Sequence, residues 1–493
     1  MKFEKQVSLK WAIALVLIAC LVSSSIVYYV FAVSPSSTFT ISSGIYPGAP
    51  SYTIWREGGY YFAKDANGEI DYSGMDANTV IQAGLNGLTS GRTWQEKVVL
   101  KGDYSLTNSL TLPSYTILDL SDAKLTLANG VNKYCITSTN STDIAVIGGI
   151  INGNKAGQTL AAHGTEGIYF DSVSNSTIRD VYIYDTKWVG IGWTGAPNLN
   201  NKILHNHIKS SDSDGIFVGG FRDSLISGNI LETVGDVGIV VGNNCWDNIV
   251  ENNIVISPAS MGIAVTGTTV FPYNTILSGN YVYGGNRGFR IYAGVTKTIL
   301  VGNIAHSQAE HGFFIDASST ILDGNIARNC TTYHGFTIYG VDGVVSDVSL
   351  VNNQAYDNIG HGIYLYNAQH CLIQGNRLKG NNYGIAGDGT SNYNTFIGND
   401  LTGNSVPYSS VGSNNLVKNN MGFVTENSGT ATITASTTVT FDHWLAGIPT
   451  SVECGFKTTG YGSWIWSATS TQITITVATS GTYTFSWNAE YKP

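Results

Sequence analysis

Apolar residues alternate with polar ones after a glycine, and this unit repeats through the middle of the chain. Gly-Ile or Gly-Phe begins at Gly167, Gly190, Gly215, Gly238, Gly262, Gly288, Gly312, Gly335, Gly362 and Gly384, in steps of roughly 22–27 residues. Steps of that length are single turns of a parallel β-solenoid. The alternation turns Ile168/Phe170, Ile191/Trp193, Ile216/Val218, Ile239/Val241, Ile263/Val265, Phe289/Ile291, Phe313/Ile315, Phe336/Ile338 and Ile363/Leu365 inward. Stacked at about 4.8 Å per rung, these pairs form one continuous core. The last rung carries Ile385/Gly387, so the core thins there. The glycines are expected to permit a tight corner. A second column, Asn229, Asn253, Asn280, Asn303, Asn325, Asn353, Asn376, Asn399 and Asn420, is expected at another corner. Asparagine tolerates left-handed backbone angles, and its amide can bond the rungs above and below. A helical reading fails because no window holds a 3.6-residue period.

The flanks read differently. Tyr52–Trp55 and Tyr60–Ala63, joined at Gly58-Gly59, predict a hairpin. Residues Asp76 to Leu88 predict a helix capped by Asp76, with Val80, Ile81, Leu85 and Leu88 on one face, closing the open end of the solenoid. Irregular early rungs follow at Val98–Leu100, Leu110–Leu112, Ile117–Leu120, Leu125–Leu127 and Ile144–Ile147. From Glu426 the asparagine column stops, and six Thr-rich alternating segments predict a small antiparallel β-sandwich. Its Trp444, Tyr461, Trp464, Trp466 and Trp487 are candidate sugar-stacking rings, with core packing the expectation for most. The resulting division is 1–37 anchor, 38–75 spacer and hairpin, 76–424 solenoid and 425–493 sandwich.

The first of these segments bears on location. Trp11 to Val33 is apolar to small throughout and follows Lys2, Lys5 and Lys10. It suffices for one transmembrane helix, with the N-terminus in the cytoplasm and the bulk of the chain extracellular. Cleavage near Val30-Phe31-Ala32, or a lipobox-like Leu17-Ile18-Ala19-Cys20, are the alternatives. The net charge of −9, without a basic cluster beyond the first residues, argues against a nucleic-acid partner. Six scattered cysteines give no metal or disulfide framework; Cys330 and Cys371 either pair or pack as small buried residues. Asn140, Asn175 and Asn329 stand in glycosylation sequons.

Candidate chemistry lies on the outward positions of the Gly-Ile strands. Tyr169, Phe217, Arg290, Phe314, Thr337 and Tyr364 form one strip, and Asp171, Tyr292, Asp316, Tyr339, Tyr366 and Asp388 a second. Rings stack on sugar faces and carboxylates bond hydroxyls, so this exposed face is a candidate glycan track. The residue before each glycine adds Glu166, Asp214, Arg287, His311, His334 and His361. Imidazoles stacked about 5 Å apart cannot all be charged, so some should be neutral near pH 7, as acid/base groups, metal ligands or a structural column.

The order Asp76–Ala83, then Gly102-Asp103-Tyr104-Ser105-Leu106, then Ile147-Gly148-Gly149-Ile150-Ile151-Asn152-Gly153-Asn154, resembles the pectate-lyase/polygalacturonase superfamily over roughly residues 76–424. The resemblance implies a right-handed parallel β-helix, commonly acting on acidic polysaccharide along one face. Ser211-Asp212-Ser213-Asp214-Gly215 resembles the Asn-Thr-Asp-Gly motif of polygalacturonases, and Gly235-Asp236-Val237-Gly238 their paired-aspartate motif with Val237 in place of a carboxylate. Ser260-Met261-Gly262 stands where that family carries Gly-His-Gly. A hydrolase would use Asp212 or Asp214 with Asp236. A lyase would hold Ca²⁺ on Asp212, Asp214 and Asp236, with Arg287 or Arg290 as base. His443–Pro449 and Trp487–Tyr491 resemble a C-terminal module of phage fibres and microbial surface proteins. The expectation is a membrane-anchored, extracellular protein that binds, and on one reading cleaves, polysaccharide or cell-surface glycan; a non-catalytic surface scaffold is the alternative.

Overall fold

Stacking the Gly-Ile segments produces a thirteen-stranded parallel sheet, from Leu110–Thr111 at one end to Val406–Tyr408 at the other. The computed structural model describes residues 50–493, apart from Ala161 and Ser410. In this right-handed parallel β-helix the register runs Ile168, Ile191, Ile216, Ile239, Ile263, Phe289, Phe313, Phe336, Ile363 and Ile385. All are buried, as their sequence pattern requires. Phe289, Phe313 and Phe336 stack nearly parallel at centroid spacings of 4.7 and 4.8 Å, one rung each.

The rest of each turn supplies two short strands to a second, 27-stranded sheet. Between them lies the asparagine ladder. Asn303 donates its backbone N–H and its amide to Asn325 Oδ1 at 2.9 and 3.0 Å, and its amide also reaches the Leu277 carbonyl. The same pattern runs from Asn206 to Asn420. A second ladder, Asn358 to Asn381 to Asn404, was not legible as a column in the sequence.

Both corner explanations need correction. The left-handed residue is the one before each ladder asparagine, such as Gly302 at φ 62° or Asn352 at φ 56°. The ladder asparagine itself is there for its amide. The glycine before each inward pair is required for space: a Cβ on Gly238 would lie 2.5 Å from the Gly262 carbonyl oxygen.

At the N-terminal end the hairpin forms, Tyr52–Glu57 against Tyr60–Asp65, and a third strand, Ile70–Gly74, extends it. Tyr52–Glu57 also pairs in parallel with Glu96–Leu106, so the hairpin is part of the sheet. Helix α1 (Ala77–Asn86) begins where Asp76 accepts the Thr79 N–H at 2.8 Å, and it buries Val80, Ile81 and Leu85 over the first rungs. The segment Trp11–Val33, read as an anchor, lies outside the described residues; among those described no helix is long and apolar enough to cross a membrane.

At the other end, Glu426–Asp442, Ser451–Phe456, Trp464–Ala468 and Gln472–Glu490 make one four-stranded antiparallel sheet with Gln472–Glu490 central. The sequence suggested six strands in a sandwich. Two pairs of those segments instead run on as single long strands through irregular pairing around Ser436. Trp487 belongs to this sheet's core, with Tyr461 and Trp464 packed against it, whereas Trp444 is 74% exposed and Trp466 exposed. Cys330 and Cys371 are separate, buried free thiols. The three sequon asparagines are exposed, Asn140 within the strand Ile136–Thr142 and Asn175 and Asn329 between strands.

Candidate functional site

The outer face of the thirteen-stranded sheet carries the predicted columns, though less exposed than expected. Tyr169 and Phe314 are each 8% exposed, and Thr337, His311 and Asp316 are buried. Large side chains on successive rungs cover one another and leave only edges to solvent. Between them the face is lined by smaller groups: Val237, Val240 and Ala264 form a small apolar cluster with Phe217, Met261 and Tyr292. Two shallow concavities lie elsewhere, one against α1 beside Gln82 and Asn108, the other beside Asn358 and Asn382. Neither gathers more than one titratable group.

The C-terminal half of the face is aromatic and carries two arginines, each paired with a carboxylate. Arg287 pairs with Glu310 at 2.6 Å and Arg290 with Asp316 at 3.0 Å, and both guanidiniums lie 5.0 Å from the Phe314 ring centre. Arg290 also covers Tyr292 at 3.9 Å. Committed to carboxylates, these arginines are placed as donors rather than as bases. Burial holds the Asp316 carboxyl above its usual range, against the pull of Arg290. Buried polar atoms without a partner concentrate here: Arg287 Nε, Arg290 Nε, Asp316 Oδ1 and His361 Nδ1.

Next along the face, rings form a ladder. His311 stacks on Tyr333 at 5.1 Å, His334 on His361 at 4.4 Å and on Tyr364 at 4.6 Å, and Tyr339 on Tyr366 at 4.5 Å. His334 Nδ1 accepts the His361 backbone N–H at 3.0 Å, and His311 Nδ1 meets the Thr337 hydroxyl at 2.9 Å. Burial, with Arg287 and Arg290 adding, lowers His311 to about 3. Burial and the neighbouring His361 and His311 lower His334 to about 3 as well. These imidazoles are therefore neutral at pH 7.

The N-terminal half is acidic. Asp214 accepts the Val237 N–H at 3.1 Å, and its carboxyl is raised to about 7 by burial, with Asp236 contributing. Asp212 departs from the expected acidic trio, because its carboxylate is held by Lys155 at 3.1 Å and Lys187 at 2.8 Å. Burial pushes Asp212 up, but the two ammonium groups outweigh it and lower its pKa. Two residues missed in the sequence join Glu166 and Tyr169. His163 Nδ1 lies 2.7 Å from Glu166 Oε1, and Tyr134 stacks on Tyr169 at 4.6 Å. Asp171 lies three residues outward of Ile168 on the same strand. The available signal was the step from Ile136 to Ile168, 32 residues, which is longer than any step of the regular repeat and marks an inserted loop.

Among the described residues no three His, Cys, Asp or Glu side chains are grouped to hold a metal ion. The calcium set of the lyase reading fails to assemble because Asp212 is committed to its lysines. The histidine rings run along the face instead of surrounding a point, His334 and His361 being within 11° of parallel and His311 tilted 54° from His334. The Cys135, Cys245, Cys330 and Cys371 thiols are buried and pushed up to about 12.

Comparison with known proteins adds the following. A family model described as periplasmic copper-binding protein (NosD) matches residues 116–286, 151–321 and 296–438, overlapping windows that together cover most of the rungs. A search of curated protein sequences returns no match. Similar solved structures include the A-module of the Azotobacter vinelandii mannuronan C-5 epimerase AlgE4, at 17% identity and TM-score 0.54, covering 70% of this chain and 96% of that one. The tailspike protein of E. coli bacteriophage HK620, solved with a pentasaccharide, aligns at 12% identity and TM-score 0.54 over 85% of this chain and 90% of its own. Bacteriophage phi29 gene product 12 aligns at 16% identity and TM-score 0.59 over 70% of this chain and 54% of its own. At these identities the likeness is one of fold.

Proposed function

The chain belongs to the family described as periplasmic copper-binding protein (NosD), and from that premise we propose that it is a β-helix protein that binds polysaccharide along its thirteen-stranded sheet. The copper in the family's description does not fit the described side chains. The imidazoles are stacked, the His311 and His334 Nδ1 atoms are hydrogen-bonded, and the thiols are buried and protonated. No step is routed through a metal.

The single observation that carries the glycan reading is the ring ladder from Phe314 to Tyr366. Ring edges at rung spacing on a rigid sheet offer a repeating apolar surface, and neutral histidines extend that surface without placing charge on it. A sugar chain advances by about 4–5 Å per unit (an outside estimate), close to the rung repeat, so successive rungs can meet successive sugars. Arg287 and Arg290, each shared with a carboxylate, are the guanidinium donors that an acidic sugar would meet on this half. The likeness in fold to an alginate-modifying enzyme and to a tailspike solved with a sugar supports the reading without assigning a substrate.

On this reading Trp11–Val33 anchors the chain and the β-helix stands outside the cytoplasm, with the C-terminal sheet and its exposed Trp444 as an accessory surface. The test is titration calorimetry of the intact chain against a panel of acidic and neutral polysaccharides. Binding to at least one, weakened about tenfold or more by Tyr364→Ala or Tyr339→Ala, is expected, since losing one stacking ring costs on the order of 1–2 kcal/mol. Failure to bind any would favour the scaffold reading.

A further inference from the structure

The inserted loop between Ile136 and Ile168 brings a histidine onto the face at the end remote from the ring ladder. Glu166 is 2% exposed, with Oε1 2.7 Å from His163 Nδ1 and Oε2 accepting the Gly164 N–H at 2.8 Å. The far side of the imidazole, Nε2, lies 3.2 Å from the Tyr134 hydroxyl. Tyr134 is stacked on Tyr169 within 16° of parallel, and His163 stands edge-on to Tyr169 at 4.7 Å. The loop is fixed from below: Asn132 accepts the N–H groups of Thr159 and Leu160, and its own N–H is donated to Gln158. A buried carboxylate, an imidazole exposed on its outer edge and a phenol are thus joined in one line of hydrogen bonds.

We propose that Glu166, His163 and Tyr134 form a proton relay that serves as the general acid of a glycoside-hydrolysing site, with Asp171 on the same face as its carboxylate base. This rests on the glycan reading above. The Tyr134 hydroxyl gives its proton to the glycosidic oxygen as the bond from that oxygen to the anomeric carbon breaks. His163, held by Glu166, returns a proton from Nε2 to the Tyr134 oxygen. Asp171 takes a proton from a water whose oxygen bonds to the anomeric carbon. One glycoside and one water give two shorter glycans, and no oxidant or reductant enters. His163 regains its proton from solvent and Asp171 gives its proton back to solvent.

Burial, together with Glu166, Tyr169 and Asp171, pushes Tyr134 up to about 12, so the phenol is a weaker acid than a free tyrosine and depends on the proton that His163 returns. The imidazole beside it is fixed in place by Glu166, whose carboxyl burial raises against the opposing Gly164 N–H and His163. Glu166 acts through His163 and is a positioning residue. The carboxylates at this end repel acidic sugars, whereas Arg287 and Arg290 stand five rungs away, about 24 Å at 4.8 Å per rung. The substrate class is therefore a heteropolysaccharide in which acidic sugars are separated by neutral ones, cleaved at a neutral sugar.

The experiment measures binding, new reducing ends and unsaturated uronate in the same mixtures, using the intact chain with mixed acidic–neutral polysaccharides and with uronate homopolymers. Reducing ends without unsaturation are expected from a mixed polymer. Tyr134→Phe, His163→Gln and Asp171→Asn should each lower their release by about 10² or more, the usual scale for an acid or base, with binding unchanged. Glu166→Gln should lower turnover and move the acid limb of the pH profile, which a purely structural role would not do. Binding without cleavage, or Tyr134→Phe cleaving at the wild-type rate, overturns the relay and leaves the glycan reading standing. Unsaturated products overturn hydrolysis in favour of elimination. Binding to no polysaccharide overturns both readings.

Discussion

Burial governs how the titratable side chains of the face behave, and it does so with opposite signs for acids and bases. His311 and His334 are lowered to about 3, so the unfolded chain takes up protons first as pH falls. Their contribution to stability is complete above about 6.5 and is lost as pH falls toward 3. Asp214 is raised to about 7, so its contribution is complete below about 4 and is lost as pH rises through 7. The stability difference between Asp214→Asn and the wild type, read from melting curves, should therefore shift in the variant's favour between pH 4 and 7, by on the order of 2–4 kcal/mol at pH 8. An unchanged pH profile in that variant would remove Asp214 as a buried, proton-holding carboxyl. The histidine column and its neutrality were legible from one-residue-per-rung spacing. His163 was not, because it reaches the face from a loop outside the repeat, and no spacing rule places a loop side chain.

Among the elements, the rung corner is where sequence and structure part most clearly. The glycine and asparagine columns were both readable, but their roles depend on neighbours in the next rung that a linear pattern does not contain. Gly238 is excluded from carrying a Cβ by the Gly262 carbonyl, so Gly238→Ala should lower stability by about 1–3 kcal/mol, the usual cost of overpacking. Asn303→Leu strands both Asn280 donors and the Leu277 carbonyl, and a loss of about 3 kcal/mol or more is expected. Chemical denaturation of the two variants checks both. Free tolerance of alanine at Gly238 would contradict the close-approach explanation. The C-terminal strands show the converse limit. Alternation located every segment, yet the Thr-rich runs do not reveal that two pairs of them continue as single strands.

For the whole molecule, the parallel β-helix was legible because its signal is repeated ten times over the Gly-Ile steps, and each rung confirms the register of the last. The face's chemistry was only half legible: the columns were seen, but the Lys155 and Lys187 contacts that withdraw Asp212 come from other turns. If the chain is anchored as proposed, protease added to intact cells should cut residues beyond Gly44 and spare Lys2–Lys10. A mature protein starting near Val33 would instead indicate cleavage. The claim that most depends on the fold as a whole is that polysaccharide lies along the thirteen-stranded sheet. A crystal structure of the chain with an oligosaccharide from a polymer it binds tests this most directly. The account predicts sugar rings over Phe314, Tyr339, Tyr364 and Tyr366, with acidic groups toward Arg287 and Arg290. Sugar ordered only at Trp444 and Trp466 of the C-terminal sheet, with the β-helix face bare, would contradict it.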